Sequence, residues 1–334
     1  MKRILLVRLS SVGDVLLATP VATELRRRHP DARISWLVDR GYGELVRCHP
    51  DVDAVCEFDF AGRHRGPAGI RRLATELGPV DLMIDLQHKL RTMLLKTCLR
   101  PAESRVWIKR HGMEALRALA GKDSILQGPH QIQRYLQAAD LDGDPIGERR
   151  PVLRLDPEWQ REAEALVGSW ASDGRPLVAL LPGARHETKR WPLRHMAGLA
   201  DRCCQAGLGV ALLGGEEDAG PIRSLADCMQ HAAAGVRAGG GLGLLAALLA
   251  ACRAVVAADT GPAHMAAALA VPTVVLFGPT SPERWAPPGA RVLRLGLACS
   301  PCSNHGGAVC PLGTHECMQA LTPDRAWEAL RDDL

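Results

Sequence analysis

Aromatic residues are scarce in this chain: three Phe, two Tyr and seven Trp among 334 residues. A core of ordinary size must then be built from Leu, Val and Ala, and nucleic-acid binding by stacking bases on aromatic rings is argued against. Any apolar run long enough to cross a bilayer is also missing. The best stretch, residues 242–252, is stopped by Arg253 and falls short of the ~20 residues a spanning helix needs. The opening M-K-R-I-L-L-V looks like a secretory leader, but Arg8 and Asp14 interrupt it and no A-x-A site follows, so we read it as a first strand. The expectation is a cytoplasmic protein whose eleven cysteines are mostly reduced. Two phosphate-binding signatures are absent as well: G-x-G-x-x-G after the first strand and the Walker G-x-x-x-x-G-K-[ST].

The length suggests two domains of about 150 residues each, and 47% hydrophobic with 23% charged residues is ordinary globular composition. The net charge of +4 is unevenly divided. Residues 1–150 carry 25 Lys/Arg against 19 Asp/Glu, a net +6, and residues 151–334 carry 16 against 18, a net −2. A basic first half suits an anionic partner such as a phosphorylated lipid head group; a solvated charged surface explains the same numbers.

Along the chain, apolar runs alternate with helical patterns. Strands are expected at 2–9, 33–38, 52–58 and 80–86, with helices at 15–28 and 88–99. The alternation restarts with strands at 177–181, 209–213, 255–258 and 273–277, and helices at 191–206, 244–252 and 323–333. Such alternation implies parallel, doubly wound sheets. Between the halves, Asp, Gly and Pro clusters mark a linker.

The most informative stretch is V-V-A-A-D-T-G-P-A-H-M-A-A-A-L-A-V-P-T-V-V-L-F-G-P-T-S-P at 255–282. A buried strand ends at Asp259, and Pro262 suits the first turn of the next helix, where its missing N–H costs nothing. A helix N-terminus just past a strand end is a ready anion site, which puts Asp259, Thr260 and His264 beside a ligand, although His264 taken alone reads as a helix-surface residue. At 182–192, P-G-A-R-H-E-T-K-R-W-P places Lys189 and Arg190 before another helix, where cations and helix N–H groups can meet an anionic group; a solvated basic loop is the alternative. Glu216, in the G-G-E-E turn after a strand, could accept hydrogen bonds from ribose hydroxyls or be an ordinary surface turn. Asp14, after Ser10, Ser11 and Gly13, reads from composition as a helix cap.

Cys299, Cys302, Cys310 and Cys317 form a C-x2-C-x7-C-x6-C cluster in a Gly/Pro/His-rich segment, with His305 and His315 as spare ligands. The cluster suits a structural zinc or iron site; free thiols and disulfides are the alternatives.

Taken in order, these motifs resemble glycosyltransferase family 9, the ADP-heptose:lipopolysaccharide heptosyltransferases. The resemblance covers almost the whole chain: L-S-S-V-G-D, D-L-Q, K-R-W-P, G-G-E, D-T-G-P-A-H and the cysteine tail. It implies a GT-B fold, two Rossmann-like doubly wound parallel-sheet domains facing across a cleft. The implied limits are an acceptor domain over 1–155, a linker over 156–176, a nucleotide-sugar domain over 177–320 and a C-terminal helix over 321–334.

The resemblance implies an inverting transferase without a catalytic cofactor, in which Asp14 is the general base and Lys189 holds the diphosphate. The donor side would include Ser10, Ser11, Gly13, Arg190, Glu216, Asp259, Thr260, Gly261 and His264. The acceptor side would be Asp85, Gln87 and Arg91, in a D-x-Q-G-x-x-[KR]-[ST] pattern where His88 replaces the glycine. Implied partners are ADP-heptose and a lipopolysaccharide inner-core lipid, met peripherally at the cytoplasmic face of the inner membrane, with no nucleic acid. Alternatives are a family member using another sugar nucleotide or acceptor, a GT-B-like nucleotide-sugar epimerase, and a non-catalytic nucleotide-sugar-binding subunit.

Overall fold

The computed structural model describes residues 1–108, 128–142 and 150–334. Each half of the chain builds a parallel sheet. The first contains β1 (Arg3–Val7), β2 (Arg33–Asp39), β3 (Ala54–Phe58), β4 (Leu82–Asp85) and β5 (Glu103–Val106), in the order β3-β2-β1-β4-β5. The second contains β6 (Leu177–Leu181), β7 (Gly209–Gly214), β8 (Gly235–Ala238), β9 (Ala254–Ala258), β10 (Thr273–Leu276) and β11 (Arg291–Leu293), in the order β11-β10-β9-β6-β7-β8. The described chain divides into two compact units, one of residues 1–108, 129–142 and 150–154 and the other of Gly128 and Leu155–Leu334. The two doubly wound sheets are those expected.

Parallel strands covered by helices on both faces tolerate few polar side chains, so they read as unbroken apolar runs. L-V-A-L-L of β6 and A-V-V-A-A of β9 are buried throughout, and so are the last four residues of β1. Around them, Leu5, Val7, Leu37, Phe58 and Met83 form one core, and Val178, Leu180, Trp191, Leu212 and Val256 another. The Trp191 indole N–H donates to the Leu321 carbonyl at 2.8 Å, so that large side chain is buried without leaving a donor unmet.

Three strands were not expected from the sequence: β5, β8 and β11. All three are sheet edges, and their residues E-S-R-V, G-V-R-A and R-V-L are largely half-exposed or exposed. An edge strand covers only part of its surface and needs no apolar run. The first helix also starts earlier than expected, at Val12 rather than Val15, and runs to Arg28. The stretch 156–176 carries the helix Pro157–Trp170, which packs on the helix Gly241–Ala250 within the second unit. No helix among the described residues is long and apolar enough to cross a membrane.

Each sheet has a place where the connections change direction. After β1 the chain adds β2 and β3 on one side, then returns to add β4 on the other; Val7 stands beside Asp85 at that edge. In the second sheet β6 lies between β7 and β9, with Leu181 beside Ala257. In such sheets the carboxyl ends of the strands at the point where the connections reverse are the usual ligand position.

Candidate active site

At the first switch point, Arg8 follows β1 and is only 3% exposed. A buried guanidinium must be paired and hydrogen-bonded, and this one is. Its Nη1 donates to the Leu86 carbonyl at 2.6 Å, and its Nη2 pairs with Asp14 Oδ2 at 2.8 Å. The guanidinium also stands over the rings of Tyr135 and Trp107, 5.3 and 5.8 Å from their centroids. Burial disfavours its charge, but Tyr135 and Asp14 outweigh that and hold its pKa above the usual value.

Asp14 lies in the first turn of the helix Val12–Arg28, where the dipole favours a negative charge. Its Oδ1 accepts from the Tyr135 hydroxyl at 2.7 Å, and its Oδ2 accepts from Ser11 Oγ at 3.3 Å as well as from Arg8. Burial, reinforced by Asp14's charge and only partly offset by Arg8, pushes the Tyr135 phenol well above its ordinary pKa. It is therefore a permanent donor to the carboxylate. The cap position suggested for Asp14 belongs instead to Ser11, whose side chain makes no capping bond.

The turn after β4 borders the same sheet edge. Asp85 is buried, and its Oδ1 accepts from the backbone N–H groups of Gln87 and His88, both at 2.9 Å. Gln87 Oε1 accepts the Leu9 N–H at 3.2 Å and so ties the two turns together. His88 has φ +44°, a conformation in which glycine is unstrained; the substitution noted in the sequence keeps the turn despite the added side chain. Arg91 is exposed, with its guanidinium over the Phe60 ring at 4.1 Å. Ser11, Asp14, Asp85 and Gln87 are thus gathered at one edge, whereas Arg91 is stacked on the surface.

At the second switch point, Lys189 follows β6 in the short turn Glu187–Lys189. Its ammonium donates to the Asp259 carbonyl at 2.8 Å and to Asp259 Oδ2 at 2.7 Å. Thr280 Oγ1 donates to the same oxygen at 2.7 Å, and His264 Nε2 stands 4.0 Å from Asp259 Oδ1. Asp259 and His264 are both buried. Asp259 holds two of the three ammonium N–H groups. Thr260 is the N-cap of the helix Gly261–Ala268 without a side-chain capping bond, its hydroxyl donating to the Ala258 carbonyl, and Pro262 lies in the first turn as expected.

The remaining donor-side residues are more dispersed. Arg190 closes its own turn, donating to the Ala184 carbonyl at 3.0 Å and pairing with Glu187. Glu216 follows β7 in the turn Glu216–Asp218. In that turn Asp218 accepts the Gly215 N–H at 2.9 Å, and a Cβ on Gly183 or Gly214 would run into its carboxylate. Burial raises the Asp218 pKa. Ser10 and Gly13 are half-buried in the first unit's turn.

The cysteine segment is joined to the Lys189 turn. Thr188 Oγ1 donates to the Gly307 carbonyl and accepts the Gly307 N–H, at 3.0 and 2.8 Å, and His315 Nε2 donates to the Thr188 carbonyl at 2.7 Å. All eleven cysteines are free thiols. Cys299, Cys302, Cys310 and Cys317 are near enough to influence one another's ionisation; burial first, then its three neighbours, pushes Cys317 up to about 11. Among the described residues no three His, Cys, Asp or Glu side chains are grouped so that they could hold a metal ion.

Arg8, Tyr135, Thr280 and Thr188 were not singled out in the sequence. Arg8 had a signal, a charge at the end of an apolar strand, which we used only to argue against a leader peptide. Thr280 lies inside the quoted 255–282 stretch. Tyr135 is 121 residues from Asp14 and had none.

A sequence model of glycosyltransferase family 9 (heptosyltransferase) matches residues 70–314. That span includes Asp85, Lys189, Glu216 and Asp259 but not Asp14 or Cys317. Lipopolysaccharide heptosyltransferase 1 of Pseudomonas aeruginosa is 32% identical over 320 residues, covering 90% of this chain and 86% of its own. Among solved structures, a family 9 glycosyl transferase from Veillonella parvula superposes with a TM-score of 0.84 at 24% identity, covering 99% of this chain and 97% of its own. The ADP-heptose lipopolysaccharide heptosyltransferase II of E. coli gives 0.77 at 25% identity, covering 100% and 98%. The two Rossmann-like units are accordingly those of a GT-B fold.

Proposed function

Because the chain belongs to glycosyltransferase family 9, we propose that it transfers heptose from ADP-heptose to an inner-core acceptor of lipopolysaccharide, inverting the anomeric carbon. The acceptor oxygen attacks that carbon while Asp14 takes its proton. The bond from the anomeric carbon to the diphosphate oxygen breaks, and ADP leaves with the electron pair. Lys189 and the N–H groups opening the helix Gly261–Ala268 meet the charge that develops on the diphosphate. Glu216 binds the ribose, and the turn from Asp85 to Arg91 faces the acceptor. The reading puts the enzyme at the cytoplasmic face of the inner membrane, held peripherally.

The observation that carries this reading is the Lys189–Asp259–Thr280 group at the second switch point, beside a helix N-terminus. Asp259 fixes the ammonium without using all its donors, which suits a site that receives a diphosphate. The direct test is ADP release from ADP-heptose, with and without truncated inner-core acceptors. Release that depends on acceptor supports transfer; turnover without acceptor, or no donor binding, would reject it. Asp14→Asn should bind donor normally yet lose about 10²–10⁴-fold in kcat, the range for a general base. Wild-type turnover by a folded Asp14→Asn protein would remove Asp14 from that role.

A further inference from the structure

The helix Leu90–Leu99 is amphipathic in an unusual sense. It buries Thr92 and Leu95 against the first unit, while Leu90 is 72% exposed and Met93 49%, with Leu94 also outward. At 3.6 residues per turn, Leu90, Met93 and Leu94 share one face, directly opposite Thr92 and Leu95. Arg91 and Lys96, both exposed, project on either side of that apolar face. Exposed Phe60 extends the patch beneath the Arg91 guanidinium, at 4.1 Å. Solvated helices place charge outward, so an outward apolar face flanked by cations needs a partner.

We propose that this face docks on the headgroup layer of an anionic lipid bilayer. Charge selects the occupant. Residues 60–100 hold eight Lys/Arg against three Asp/Glu, a net +5 that exceeds the +4 of the entire chain, and one of those acids, Asp85, is buried. A second copy would bring the same positive charge against itself, whereas an anionic surface attracts it. One helix of ten residues with three outward apolar side chains is suited to lie in the interface and is far too short to span. Position agrees: the helix follows β4, whose end adjoins β1, so its first residues lie at the sheet edge that carries Asp14. A lipid-anchored acceptor would be presented at that edge, and in this respect the inference rests on the function proposed above.

The test is co-sedimentation of the full chain with vesicles of phosphatidylcholine, with and without phosphatidylglycerol. Binding is expected only to the anionic vesicles. The double variant Met93→Ser/Leu94→Ser should lower the partition coefficient by roughly tenfold, and Lys96→Gln by about fivefold, corresponding to ~1 kcal/mol per cation near a membrane surface. Transfer to a soluble, delipidated acceptor should be unchanged in all of them. Failure of the wild type to bind anionic vesicles, or equal binding by the double variant, would overturn the proposal. A change in oligomeric state of the double variant by light scattering would assign the face to a second copy and overturn it equally. Loss of transfer to every soluble acceptor in the wild type would instead sink the heptosyltransferase reading and leave the vesicle result standing.

Discussion

For Asp14 to act as the proposed base, its carboxylate must keep its orientation and its charge until the acceptor arrives. Asp14 has both supports: Tyr135 donates to one oxygen, and Arg8 pairs with the other from a buried site braced by the Leu86 carbonyl. Tyr135→Phe removes one donor and leaves the ring packed edge-on against Trp107, 5.3 Å away. Donation to a carboxylate favours its ionised form, so losing it makes protonation easier. The acid limb of the pH–rate profile should therefore move to higher pH by about one unit, since a hydrogen bond to a charged group contributes roughly 1.5 kcal/mol or more and a unit is 1.36 kcal/mol. A limb that stays in place would reduce Tyr135 to packing. The sequence exposes one half of this arrangement, a charge closing an apolar strand and an Asp opening a helix. The tyrosine is supplied by the helix Gln131–Ala138, which packs on the first helix, and nothing local announces it.

At the level of elements, legibility follows burial. The central strands β1, β6, β9 and β10 are apolar runs because helices cover both faces, and each was expected close to where it lies. β5, β8 and β11 were missed because an edge strand is defined by the neighbour it pairs with rather than by its own side chains. β8 illustrates this. It opens with Gly235, where a Cβ would penetrate the ring of Trp170 at the end of the helix Pro157–Trp170. Gly235→Ala should cost ~1–3 kcal/mol through overpacking, seen in calorimetry as a fall in Tm of about 2–4 °C per kcal/mol. Trp170→Leu should relieve much of the loss in the double variant. An unchanged Tm for Gly235→Ala would show that this helix does not press on β8.

For the whole molecule, stability against acid is expected to depend on a group far from the chemistry. His49 is buried in the first unit, its ring 6.4 Å from that of Trp36 and its Nδ1 accepting the Asp51 N–H at 3.1 Å, which requires that nitrogen to be unprotonated. Burial lowers its pKa from 6.5 to about 4. The unfolded chain therefore binds the proton first as pH falls, and the stability contributed by neutral His49 is complete above 6.5 and lost progressively towards 4. The loss is of order 3 kcal/mol at 1.36 kcal/mol per unit. Urea titrations of wild type and His49→Gln between pH 7 and 4.5 should show a smaller pH dependence in the variant; parallel curves would discharge His49 from that role. By itself the sequence determined the alternation that makes two doubly wound sheets, the central strands, and the Asp259–Pro262 and Lys189 turns, because burial on both faces and turn chemistry are written in consecutive residues. The tertiary structure decided which distant groups complete those turns: Tyr135 and Arg8 on Asp14, Thr280 and Lys189 on Asp259, and Gly307 and His315 on Thr188. It also decided that one helix turns its leucines outward. Such pairings depend on which strands become neighbours at a sheet edge, and that is a property of the packed chain rather than of any stretch within it.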